Sequence, residues 1–106
     1  MDFFGLDIGS YSLKIAQVEK DGKNFSLKAF GSASSPSRGL MSEAETDLTQ
    51  LSEAIKKLHQ ESKISTKNVA VALPEDKAYS KVVSFPKLSD KELQTAIKWE
   101  AEQYVP

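Results

Sequence analysis

The sequence predicts an α/β domain on a mixed sheet, in the order strand, strand, strand, helix, strand, followed by a partial strand–helix unit. Three observations predict it. Strand-like segments separated by short turns fill the chain up to about residue 30. An amphipathic helix follows over residues 47–62, with Leu48, Leu51, Ile55 and Leu58 recurring at helical spacing. Then comes Val69-Ala-Val-Ala-Leu73, apolar on both faces. After a helical crossover, such a run is most simply a parallel strand in a sheet interior.

The elements follow in order. Residues 3–8 form an apolar run ending at Gly9, and residues 13–19 form a second strand, with the polar turn Gly9-Ser10-Tyr11-Ser12 between them. Asp21-Gly22 is a hairpin signal, because both residues tolerate positive φ. In the third strand, from about Asn24, Phe25, Leu27 and Ala29 alternate with Ser26 and Lys28, as a half-buried strand requires. Residues 31–46 are polar and turn-rich, long enough to predict an excursion or flap. Acids lead the helix at 47–62, and Lys56, Lys57 and His59 lie near its end, complementing the helix dipole; His59 reads as solvated. Pro74 closes the apolar strand, and residues 77–85 read as a further strand. Ser89-Asp-Lys-Glu92 is a capping box opening a final helix, whose stripe is Leu93, Ala96, Ile97, Ala101 and Tyr104. Trp99 sits at the edge of that stripe and reads as packing, Tyr104 as core.

Composition excludes several function classes. Lys and Arg number 14 against 15 Asp and Glu, so the net charge of -1 argues against electrostatic binding of nucleic acid or anionic lipid. The absence of cysteine removes disulfides, cysteine-ligated zinc and thiol catalysis, and a single histidine removes a histidine-rich metal site. Asp2 and Asp7 interrupt the N-terminal apolar run, which does not read as a signal peptide or membrane span, so a cytoplasmic location is expected. Glu43, Glu45 and Asp47 read as helix-start electrostatics, and Glu100 and Glu102 do not share a helix face.

The candidate site is Asp7-x-Gly9-Ser10-Tyr11-Ser12-x-Lys14. Gly9 lets a phosphate approach the backbone, and a tight turn of amides can form an anion-binding concavity. Ser10 and Ser12 add hydroxyls, and Lys14 adds a point charge. Asp7 suits a hydrated magnesium ion, which takes oxygen ligands and keeps its waters. The pattern is not a Walker A loop. Taken alone it also fits ordinary hairpin chemistry, with Lys14 as a solvated strand residue.

The opening Phe4-Gly-Leu-Asp-Ile-Gly-Ser-Tyr-Ser-Leu-Lys-Ile-Ala16 resembles the N-terminus of the PilM family, actin-like proteins of type IV pilus assembly, and of the related FtsA proteins. The tail, from Val82-Val-Ser-Phe-Pro-Lys-Leu-Ser to Glu-Ala-Glu-Gln-Tyr-Val-Pro106, resembles the same family independently. The resemblance implies an actin-like ATPase (ribonuclease H-like) fold. Residues 1–74 would be the first half of subdomain 1A with its phosphate-1 loop, and residues 75–106 the start of an incomplete inserted subdomain 1C. It implies ATP and magnesium bound in a longer parent protein. Asp7, Gly9, Ser10, Tyr11, Ser12 and Lys14 would carry phosphate and metal contacts, Asp7 reaching magnesium through water. It implies a cytoplasmic scaffold that binds the N-terminal peptide of a PilN-like inner-membrane protein, where the first lobe meets the inserted subdomain, and so reaches the membrane only through partners. The second phosphate loop and the adenosine pocket have no counterpart here, so weak or absent ATP binding is expected of these 106 residues alone. An open sheet also predicts self-association. Two alternatives share the opening pattern: an actin-fold phosphotransferase of sugar-kinase type, and an FtsA-like cell-division filament protein.

Overall fold

The computed structural model describes residues 1–36 and 42–104, with the Lys77 side chain left aside. The resembling exit at Val105 and Pro106, and the Arg38-Gly39-Leu40 part of the expected flap, lie outside the described residues. Strands β1 (Phe4–Ile8), β2 (Ser12–Asp21) and β3 (Asn24–Ser34) precede helix α1 (Glu45–Glu61); strand β4 (Val69–Ala72) and helix α2 (Asp90–Glu102) follow. The sheet order is β3-β2-β1-β4. β1 runs antiparallel to β2 and parallel to β4, and β2 runs antiparallel to β3. The mixed sheet and the βββαβ order are those the sequence predicts.

Period-two alternation divides the sheet into two faces. Phe4, Leu6 and Ile8 of β1 and Leu13 and Ile15 of β2 are buried with Leu51 and Leu58 of α1 and Ile64. Gln17 is the buried polar residue on this side. Its amide Nε2 donates to Ser65 Oγ at 2.7 Å, and its Oε1 accepts from the Ser65 backbone N at 2.9 Å. That exchange satisfies a buried amide and fastens the α1–β4 connection to the sheet. His59 is half-buried rather than solvated: its Nε2 lies 2.8 Å from the Thr66 carbonyl, and its ring meets Phe4 edge-on at 5.1 Å. The reason is the turn that ends α1. Lys63 adopts φ 56°, and its amide and that of Ile64 reach back to the carbonyls of Gln60 and His59. This is a Schellman closure, and it folds residues 64–66 over the His59 ring.

Four expectations about the strands and their turns are corrected. The β2–β3 turn centres on Gly22-Lys23, with Asp21 pairing Asn24; only Gly22 takes positive φ, at 60°. β3 does not bury Phe25 and Leu27. The register jumps between Gln17 and Val18, so that Gln17 faces Ala29 while Val18 faces Leu27. This bulge spends Lys28 as an extra residue and sends Leu27 and Phe25 to the face away from α1. β4 is parallel to β1 as expected, yet it is an edge strand, exposed at all four positions. α1 lies over β2 and β3 and leaves β4 bare. Residues 77–85 form no strand: a short 3-10 turn at Glu75–Lys77 gives way to irregular chain with no ladder partner among the described residues.

α2 opens with the expected box. Glu92 N donates to Ser89 Oγ at 3.4 Å, and Ser89 N donates to Glu92 Oε2 at 2.9 Å. None of its residues is buried. Tyr104 is therefore exposed rather than core, its ring capped by Lys81 Nζ 3.3 Å from the centroid, and Trp99 stands 68% exposed.

Candidate functional site

The β1–β2 turn is built from its ends inward. Asp7 and Lys14 stand directly opposite each other on the strand pair, on the sheet face away from α1. Lys14 Nζ lies 3.9 Å from Asp7 Oδ2, and both side chains are more than half exposed. The pair is loose and solvated, free to exchange its partner for a ligand. Around it the sheet carries small residues, Gly5, Ala16, Ala70 and Ala72, which leave a shallow depression of about 410 Å³.

Gly9 is required by space. A Cβ there would lie 2.7 Å from the Ser12 carbonyl oxygen, which already accepts the Gly9 N–H at 3.0 Å. The Gly9 amide is thus spent inside the turn. The amides of Ser10 and Tyr11, which lie outside the strands, make no hydrogen bond among the described residues, so two donors remain for a ligand. Ser10 and Tyr11 are exposed, Tyr11 at 91%, and Ser12 is half-buried. The structure therefore brings all six sequence-predicted residues to one end of β1 and β2. It divides their roles: Gly9 shapes the turn, Ser10 to Ser12 offer donors, and Asp7 and Lys14 supply opposite charges on the adjoining face. A single carboxylate matches a magnesium ion that keeps its waters and takes other oxygens from a phosphate. Among the described residues no cluster of three or more His, Cys, Asp or Glu side chains is placed to hold a metal ion.

Sequence reasoning missed Ser35. Its hydroxyl donates to the Gly9 carbonyl at 2.7 Å, and its backbone N donates to the Tyr11 carbonyl at 3.0 Å. Nothing in a serine-rich stretch distinguishes this residue from its neighbours Ser32, Ser34 and Ser37.

A second concavity lies between residues 79–85 and α2. Tyr79, Lys81, Val83, Phe85, Ile97 and Tyr104 line an apolar groove of about 390 Å³. Tyr104 Oη donates to Glu100 Oε1 at 3.1 Å, which places a carboxylate beside the groove.

Two comparisons bear on these features. A solved structure described as a PilM-PilN type IV pilus biogenesis complex contains a chain 33% identical to this one, to which 100% of the present chain superposes with a TM-score of 0.73. This chain spans about a third of that protein, 31% of its length. The family described as type IV pilus assembly protein PilM matches residues 5–106, taking in the β1–β2 turn, the sheet and the α2 groove together. Among the three readings that the opening pattern allowed, this is the one the comparisons support, and the chain belongs to the PilM family of type IV pilus assembly proteins.

Proposed function

We propose that this chain is the N-terminal portion of a cytoplasmic, actin-fold scaffold for type IV pilus assembly, which binds ATP and the cytoplasmic tail of a PilN-like inner-membrane protein. The observation that carries the proposal is the likeness over the whole chain to a protein solved within a PilM-PilN complex. No helix among the described residues is long and apolar enough to cross a membrane. The groove between residues 79–85 and α2 is the candidate seat for the tail. Its walls are apolar, the chain beside it joins no ladder among the described residues, and a short peptide could lie in the groove.

The β1–β2 turn supports the nucleotide half of the reading. Ser10 and Tyr11 would present their amides to phosphate oxygens, Ser12 would add its hydroxyl, Lys14 would neutralise charge, and Asp7 would hold the waters of a magnesium ion, which shields the phosphates when bound. One turn on an open face buries little of a nucleotide, so this chain alone should bind Mg-ATP weakly. Calorimetric titration tests both halves. A synthetic PilN-like N-terminal segment should bind saturably, and Ile97→Asp should abolish that binding. Mg-ATP should give no tight isotherm with the same chain. Failure of the segment to bind would overturn the scaffold reading.

A further inference from the structure

We infer that Ser35 is a positioning residue of the phosphate turn, a role that rests on the nucleotide reading above. Ser35 follows β3 and grips the turn at two carbonyls, Gly9 O through its hydroxyl at 2.7 Å and Tyr11 O through its amide at 3.0 Å. In a trans peptide the carbonyl and the next residue's N–H point in opposite directions, and the described residues include no cis peptide bond. Holding Gly9 O toward Ser35 therefore turns the Ser10 N–H away from it. Holding Tyr11 O toward Ser35 turns the Ser12 N–H away from β3. The Gly9 N–H is already committed to Ser12 O at 3.0 Å. One residue outside the motif thus fixes the direction of the free Ser10 donor and of the neighbouring Ser12 amide. Its side-chain bond is partly buried, where water competes poorly for the Gly9 carbonyl.

The chemistry requires a hydroxyl at this position. Ser35→Ala leaves the backbone bond to Tyr11 and removes the bond to Gly9, freeing the Gly9–Ser10 peptide plane to rotate. Ser35→Thr keeps the donor. The role of the Ser35 hydroxyl is therefore separable from that of the strand ladder, whose end bond the Ser35 amide makes to Tyr11 O beside the Ser12–Ser34 pair.

Amide NMR of the intact chain, with Mg-ATP as probe, tests this. In the wild type, Mg-ATP shifts the Ser10, Tyr11 and Ser12 resonances. In Ser35→Ala the Ser10 resonance moves before any ligand is added, the apparent affinity from those shifts falls about fivefold, and the β1 and β2 resonances stay in place. Ser35→Thr restores the wild-type response. Wild-type shifts that persist unchanged in Ser35→Ala overturn the positioning role and leave the nucleotide reading standing. Collapse of the β1–β2 resonances in Ser35→Ala overturns it in favour of a general folding role. Absence of shifts in the wild type at millimolar Mg-ATP overturns the weak binding proposed for this chain, and the positioning role with it.

Discussion

At the scale of single residues, two backbone positions decide local geometry by different physics. Gly9 is fixed by space, because a methyl group there would press on the Ser12 carbonyl at 2.7 Å. Gly9→Ala should cost about 1–3 kcal/mol in denaturant unfolding and should distort the turn that carries the free amides. Lys63 shows the converse. It closes α1 at φ 56°, a region that costs an L residue roughly 1–2 kcal/mol. Lys63→Gly should stabilise the chain by about 0.5–1 kcal/mol, the relief of strain less the added entropy of the unfolded glycine. A lower unfolding midpoint for Lys63→Gly would contradict the Schellman assignment. Gly9 was legible in the sequence because it stands between two strand patterns. Ser35 and the Gln17–Ser65 exchange were not, since both join residues far apart in the chain and neither leaves a local pattern.

At the scale of elements, local signals were read well and tertiary ones poorly. The capping box at Ser89 and Glu92 follows from residues three apart, and the structure contains it. Glu92's carboxyl is held below its ordinary value, first by the Ser89 hydroxyl and then by the Ser89 backbone N–H. A depressed folded value means a contribution that is fully present above the unfolded value near 4.5 and lost as pH falls through the folded one. Circular dichroism should therefore show α2 helicity declining below about pH 4.5. Glu92→Gln, which keeps an acceptor, should flatten that decline. The β3 prediction failed for a definable reason. Alternation over Phe25, Leu27 and Ala29 assumes an unbroken ladder, and the bulge at Lys28 divides the three between two faces. β4 was read as interior from its composition alone, which reports what a strand can tolerate on its faces, not what lies over them.

At the scale of the molecule, the face opposite α1 gathers what the bulge redirected. Val18, Leu27, Phe25 and Phe30 form an exposed apolar strip, with Phe25 at 70% and Phe30 at 72%, and β3 and β4 are both sheet edges. Such a strip between open edges predicts concentration-dependent association. Sedimentation should show it, and Leu27→Lys with Phe30→Lys should suppress it; a wild type monomeric at every concentration would refute the expectation. The fold class and the family were legible because the opening and closing stretches each resemble one family. The site's internal division of labour was not, because it depends on which donors the fold consumes. The most direct test of the scaffold claim is to map a PilN-like N-terminal peptide onto the chain by amide chemical shifts. The account predicts perturbations concentrated in residues 79–85 and the Ile97–Tyr104 side of α2, with β3 unaffected. Perturbations spread over β3, or none at saturating peptide, would contradict it.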